Sequence, residues 1–180
     1  EAWATDVGNA YLEAETSEKV YIEAGPEFGD RQGHILVIHK ALYGLRSSGY
    51  QWAQKWADCL RELGFFPCKA EPDIWMRRNG DNYEYIAVYV DDLALVMKDP
   101  AGFVKTLEDK FGFKLKGTGP ISFHLGMDFF RDDEGVLCLA PRKYIDKMVS
   151  TYERLFGSSP KQTYSSPPEK GDHPELDTSD

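Results

Sequence analysis

The chain has 180 residues, 42% of them apolar, and a formal net charge of −9. That is enough for one sizeable core with a small second lobe, and no apolar run approaches the roughly 20 residues a membrane span needs. Cys59, Cys68 and Cys138 are scattered without Cys-x-x-Cys spacing, and His34, His39, His124 and His173 form no ligand pattern. Neither a zinc site nor a disulfide framework is implied, and a reducing intracellular setting fits best. No signal-peptide pattern is present, and a start at Glu1-Ala2-Trp3 reads as an excised piece. The charge is uneven. Residues 1–30 hold eight acids against one base and residues 163–180 five against one, leaving 19 bases and 17 acids between them. Overall charge therefore argues mildly against a nucleic-acid partner, while the near-neutral body leaves room for a local basic groove.

In chain order, residues 3–7 are predicted to end a strand, with Gly8-Asn9 as a turn. Asp6 stands at the strand exit, where a carboxylate can project beyond a sheet; a cap or turn acceptor is the commoner role for a lone Asp there. Short strands are expected at 20–23 and 34–38, separated by a loop at 25–30. Residues 40–49 lead into the clearest helix, with Ser47 or Ser48 as N-cap. Trp52, Trp56, Cys59, Leu60 and Leu63 recur at helical spacing, and Gly64 is the stop. A loop at 65–68, a strand at 74–76 and a turn at 77–82 follow.

Residues 83–97 read Tyr-Glu-Tyr-Ile-Ala-Val-Tyr-Val-Asp-Asp-Leu-Ala-Leu-Val-Met. Two strand-forming runs, 83–90 and 93–97, enclose Asp91-Asp92, which predicts a β-hairpin whose two-residue tip carries both carboxylates. The nearly all-apolar arms predict a sheet covered on at least one face. Adjacent carboxylates at the end of a buried hairpin are costly unless a cation offsets them. A plain surface turn is the rival reading, because Asp favours turns.

Asp99-Pro100 predicts an N-cap and first-turn proline for a helix carrying Phe103, Val104, Leu107 and Phe111, with Gly112 as its stop. Lys105, Lys110, Lys114 and Lys116 read as a solvated face. A strand at 122–130, a turn at 132–135 and a second arm at 136–139 come next. Pro141 then opens a helix with Tyr144, Ile145, Met148, Val149 and Tyr152 at helical spacing. From Gly157 onward the composition is that of a linker or disordered tail. The alternation predicts an α+β layer, helices packed on a mostly antiparallel sheet.

Six blocks in order resemble the copia-type retrotransposon reverse transcriptases. They are Asp6-Val7-Gly8-Asn9-Ala10-Tyr11-Leu12, Val20-Tyr21-Ile22-Glu23, Lys40-Ala41-Leu42-Tyr43-Gly44-Leu45-Arg46 through Gln51-Trp52, Tyr89-Val90-Asp91-Asp92, Phe123-His124-Leu125-Gly126-Met127, and Arg142-Lys143-Tyr144-Ile145. The resemblance implies a polymerase palm-like (ferredoxin-like) antiparallel sheet over residues 1–156, with a partial fingers insert at about 13–49 and a linker or tail at 157–180. Catalytic and metal-holding roles carry over to Asp6, Asp91 and Asp92, with the backbone carbonyl of Val7 as a further metal ligand. Two Mg²⁺ ions are implied, with Mn²⁺ as the alternative. Such hard cations take oxygen ligands, and a pair about 3.5–4 Å apart can activate a 3′-hydroxyl and stabilise the leaving oxygens.

The resemblance also places Tyr11, Tyr43, Gly44 and Arg46 at the incoming nucleotide, and Tyr89, Leu125, Gly126 and Met127 at the primer. A ring at Tyr11 would crowd a 2′-hydroxyl; a packed strand tyrosine is its rival role. Gly44 also fits a plain turn, and Arg46 a solvated side chain. Ser48-Gly49 departs from the family's usual Ala-Pro. Implied partners are an RNA or DNA template–primer, deoxynucleoside triphosphates, and the fingers and RNase H segments of a parent polyprotein, with no membrane. The implied setting is intracellular, in a cytoplasmic virus-like particle of the parent element, with a nuclear stage as a further option. The alternative is a truncated retroelement remnant, without catalytic activity and at most weakly nucleic-acid-binding. A palm-related nucleotidyl cyclase or a tRNA-type nucleotidyltransferase shares the acids but does not predict the Leu-Tyr-Gly-Leu and Phe-x-Leu-Gly blocks.

Overall fold

A computed structural model describes residues 1–160. Its elements run β1 (Ala2–Val7), α1 (Ala10–Glu13), β2 (Glu15–Glu23), a 3-10 turn (Pro26–Arg31), β3 (Ile35–Lys40), α2 (Ser48–Glu62), β4 (Phe66–Pro67), β5 (Ile74–Asn79), β6 (Asn82–Tyr89), β7 (Asp92–Val96), α3 (Pro100–Phe111), β8 (Leu115–Pro120), β9 (Phe123–His124), β10 (Met127–Arg131), β11 (Leu137–Ala140) and α4 (Arg142–Phe156). Among the described residues every strand pairing is antiparallel. The main sheet has the order β4-β5-β6-β7-β1-β8, a second has β11-β10-β9, and β2 pairs with β3. The fold is thus mixed α and β, with helices on antiparallel sheets. No helix among the described residues is long and apolar enough to cross a membrane.

Alternation along the strands divides the main sheet into two faces. Val7, Trp75, Ile86, Leu93 and Leu95 are buried against Trp52, Trp56 and Leu60 of α2 and Phe103, Val104 and Leu107 of α3. The residues between them, including Asp6, Asp92, Ala94, Tyr85 and Tyr89, belong to the opposite face and are half-buried or exposed. Trp52 stacks on Trp56 at 5.8 Å, and Phe113 meets Trp52 edge-on at 5.7 Å. Such aromatic pairs add about 0.5–1.5 kcal/mol each beyond area burial.

The helix boundaries follow local chemistry. Asp99 Oδ1 accepts the Gly102 amide at 2.9 Å, Pro100 fills the first turn, and Gly112 ends α3 at φ +73°. At α2 the N-cap is Ser47, one of the two residues expected, but its side chain makes no cap bond. The Ser47 hydroxyl is buried without a partner, and the Ser48 hydroxyl donates to the Leu42 carbonyl at 2.6 Å. The Ser47 amide instead donates to the Glu18 carboxylate at 2.9 Å, so an acid 29 positions away does the capping.

Other departures share one cause, that strand pairing overrides weak local signals. Polar Thr16-Ser17-Glu18-Lys19 joins β2, with a register shift before Val20. The expected loop at 65–68 holds β4, paired to β5 through Phe66 and Met76. The 77–82 turn shrinks to Gly80-Asp81, because Arg77 and Arg78 lie opposite Glu84 and Tyr83. The expected 122–130 strand is a hairpin, broken where Leu125 and Gly126 take φ +47° and +81°. A 3-10 turn occupies the 25–30 loop. Strand β8 had no sequence signature at all. Its glycines and proline suit only an edge, where β1 recruits it. The α4 helix forms as its spacing predicts, with Tyr144, Ile145 and Met148 left on the surface. Of the expected 157–180 tail, residues 161–180 lie outside the described residues.

One charge is buried on the helix-covered face. Glu84, 4% exposed, accepts from Arg77 Nε at 3.0 Å and Nη2 at 2.6 Å, from Asn79 Nδ2 at 2.9 Å, and from the Lys98 amide at 3.3 Å. Burial alone would raise this carboxyl, but the bonds from Asn79, Arg77 and Lys98 outweigh it and hold it below its ordinary 4.5. Because the folded value is depressed, the stabilisation is present above about pH 4.5 and is lost as pH falls through the folded value. Glu84→Gln is expected to cost about 2–3 kcal/mol at pH 7 and to flatten the acid limb of stability. Denaturant melts at pH 7 and below pH 4 check both.

Candidate functional site

The hairpin built from residues 83–97 forms with its tip displaced from expectation. Tyr89 pairs with Asp92, so the two-residue tip is Val90-Asp91, and Asp92 is the first residue of β7. The tip moves back by one residue, Val90 leaving the first arm and Asp92 joining the second, because Asp92 also faces a strand on its other side. That strand is β1, where Asp6 lies directly opposite Asp92. Facing residues of an antiparallel pair share a face at about 4.5–5.5 Å between Cβ atoms. The tip joins them through its backbone, the Val7 amide donating to the Asp91 carbonyl at 2.8 Å. The fold therefore brings Asp6, Asp91 and Asp92 together from positions 85 and more apart in sequence.

Val90 takes φ +56°, a genuine outlier for a β-branched residue, and such strain costs about 1–3 kcal/mol. Its carbonyl accepts the Trp52 indole N–H at 2.6 Å.

Electrostatics at the site are those of crowded like charges. Partial burial, then Asp91, then Asp92 push the Asp6 carboxyl above its ordinary value, against a smaller opposing pull from Lys116. Lys116 lies across from Asp6 on β8. Its side chain runs over Gly8, where a Cβ would meet Lys116 Cε at 2.9 Å and Nζ at 3.2 Å. Residue 8 must therefore stay small for that ammonium to sit there. None of the three carboxylates takes a hydrogen bond or ion pair among the described residues. Nor, among those residues, are any three His, Cys, Asp or Glu side chains gathered tightly enough to hold one ion. The three acids share a neighbourhood, and Asp6 and Asp92 a face, without forming a closed coordination sphere.

Of the other predicted residues, Tyr11 and Tyr43 meet with ring centroids 4.5 Å apart. Tyr43 is exposed, yet partial desolvation and the charges of Asp91 and Asp6 push its hydroxyl up. It belongs to the same neighbourhood. Gly44 turns the chain beside it at φ +97° with open space around it. Arg46 is exposed, and its charge is felt by Glu18 rather than by Asp6. Tyr89 is exposed opposite Asp92. Leu125, Gly126 and Met127 form the β9–β10 turn, and His124 beside them feels the charge of Asp92. The side chain of Val7 is fully buried. A cleft of about 470 Å³ opens between α2 and β5–β6. Trp52, Trp56, Trp75, Tyr11, Tyr89 and Val90 line much of it, and none of the three acids does.

Sequence reasoning did not place Trp52, Lys116 or His124 here. Trp52 looked like core, and Lys116 like a solvated face. Only the close approach at Gly8 and the recruitment of β8 mark Lys116, and both are tertiary facts.

Residues 2–164 match the family model described as reverse transcriptase (RNA-dependent DNA polymerase). The chain belongs to that family. Among similar proteins, the Retrovirus-related Pol polyprotein from transposon RE1 of Arabidopsis thaliana is 30% identical over 78% of this chain and 10% of its own length. The Retrovirus-related Pol polyprotein from transposon TNT 1-94 of Nicotiana tabacum is 28% identical over 82% of this chain and 11% of its own. The Truncated transposon Ty1-A Gag-Pol polyprotein of Saccharomyces cerevisiae is 27% identical over 63% of this chain and 9% of its own. The chain thus spans about a tenth of each of these curated relatives, and the copia-type resemblance of its six blocks holds.

The upward shift of Asp6 makes its ionised form a burden on this reverse transcriptase fold. A carboxyl raised in the folded state withdraws stability as pH climbs from its ordinary 3.8 through the folded value. Asp6→Asn is therefore expected to melt no lower than the wild type at pH 7 in a chelator. A lower melting temperature by calorimetry would contradict this reading.

Proposed function

We propose that this chain is the palm portion of a copia-type reverse transcriptase, adding deoxynucleotides to a primer 3′-hydroxyl under template direction. The observation that carries the reading is the pairing of Asp6 with Asp92 across β1 and β7, with Asp91 tied to β1 at the tip. The strand order β8-β1-β7-β6, linked through α2 and α3, supports a ferredoxin-like palm. Residues 13–49 are read as a fingers insert, and they include the separately paired β2–β3 hairpin.

The donor chemistry fits a divalent cation. All three side chains offer oxygen, which Mg²⁺ prefers, and the repulsion that raises Asp6 is what a cation relieves. Like charges do not collapse onto a common point by themselves, so a cation would also supply the attraction that gathers them. Asp6, Asp91, Asp92 and the Val7 carbonyl would hold two Mg²⁺, with Mn²⁺ as a substitute. When bound, they would ease deprotonation of the 3′-hydroxyl and offset charge on the departing pyrophosphate. Tyr11, braced by Tyr43, would lie under the sugar and exclude a 2′-hydroxyl. Gly44 would let backbone approach the nucleotide, and Arg46 would meet phosphate. Tyr89 and the turn at Leu125, Gly126 and Met127 would bear on the primer. Contacts to template and primer would be mainly to phosphate and sugar, hence salt-sensitive and nearly sequence-independent. Fingers and RNase H segments would come from the parent polyprotein.

The test is dNTP incorporation on a primed RNA by the full-length protein with Mg²⁺. Asp91→Asn is expected to lower kcat at least about a thousandfold, several kcal/mol of charge stabilisation being lost. Tyr11→Ala should admit ribonucleotides more readily. An Asp91→Asn enzyme as fast as wild type would refute the assignment. A wild-type protein that incorporates nothing would point to an inert remnant.

A further inference from the structure

We propose that Trp52 is a positioning residue for the acid-bearing tip, acting through one hydrogen bond that holds Val90 in its left-handed conformation. The activity arm of this proposal rests on the polymerase reading; its structural arm does not.

The first tip position of a two-residue hairpin takes positive φ, which glycine or asparagine adopts readily and a β-branched residue does not. Val90 at φ +56° therefore needs support from outside the tip. The hairpin's own pairing ends at Tyr89 and Asp92. Among the described residues, two bonds reach the tip from elsewhere. The Val7 amide holds the Asp91 carbonyl to β1 at 2.8 Å, and the Trp52 indole N–H holds the Val90 carbonyl to α2 at 2.6 Å.

Trp52 is well suited to act as a fixed donor. It is 2% exposed, stacked on Trp56 and met edge-on by Phe113, so its indole cannot follow a moving tip. Removing the N–H frees the Val90 carbonyl and lets the backbone relax toward negative φ. That rotation acts on the next residue in the chain. Asp91 would swing away from Asp6 and Asp92, and its carbonyl would leave the Val7 amide.

A double-mutant cycle on the full-length protein separates this role from packing. Trp52→Phe keeps a ring in the core and removes the donor, while Val90→Gly lets the tip take positive φ without strain. Two quantities are read: hydrogen exchange at the Val7 amide, and kcat against KM for dNTP. With Val90 present, W52F is expected to speed Val7 exchange roughly tenfold and to lower kcat about tenfold, leaving KM within about twofold, since small misplacement of a catalytic group is costly. In the V90G background the same substitution should change exchange and kcat less than about twofold. Wild-type exchange and kcat in W52F would overturn the proposal. So would equal losses in both backgrounds, including equal falls in melting temperature, because Trp52 would then act through packing alone. If the unmutated protein incorporates no nucleotide, the polymerase reading fails, and Val7 exchange across the four proteins still decides the role of Trp52.

Discussion

The site depends on the register between β1 and β7. A strand presents alternate residues to opposite faces, so a slip of one position would turn Asp6 toward α2 and bring Thr5 and Val7 to the open side. What prevents the slip is burial. Val7 is fully enclosed beside Leu93 and Leu95, and Thr5 is locked on the other flank by its hydroxyl, 2.6 Å from that of Thr118 and 3.2 Å from the Lys116 carbonyl. The apolar layer under α2 and α3 thus sets where the acids stand.

That layer also sustains local costs. Asp6 and Asp92 face each other as like charges, an arrangement that destabilises a strand pair. Val90 holds an unfavourable backbone conformation one residue before Asp91. Both burdens fall at one end of the sheet, while the charge buried near the other end, Glu84, is fully paired. Unpaired acid at the tip and paired acid away from it is the distribution expected when one end is kept for ligands and the other for stability.

Away from the main sheet the structure is less enclosed. Tyr21, Ile35 and Val37 of the β2–β3 hairpin are exposed, as are Tyr144, Ile145, Met148 and Leu155 of α4. The described core is built chiefly from β1, β5, β6, β7, α2 and α3, with Phe65 and Phe113 closing its ends. The elements that carry the acids are therefore also the best anchored, which suits a site whose geometry must be held while surrounding segments contact large ligands.

Much of the fold was legible because its signals are local. Helical spacing in α2 and α3, the Asp99 cap, the Gly112 stop and the apolar arms of the hairpin follow from residues within a turn or two of one another. So does the order of motif blocks, which marked the family before any geometry was known. What the sequence could not show was what required a strand distant in the chain. Strand β8 has no signature of its own and exists because β1 has an edge to fill. The tip moved to Val90-Asp91 because Asp92 is gripped by β1 as well as by β6. Lys116 reaches the site only across that recruited edge, and Trp52 acts as a donor only because α2 packs where the Val90 carbonyl points. The sequence by itself determined which chemistry was on offer, because side-chain identity does not depend on the fold. The tertiary structure decided which acids share a face and what holds them there, because register is a property of paired strands and not of one.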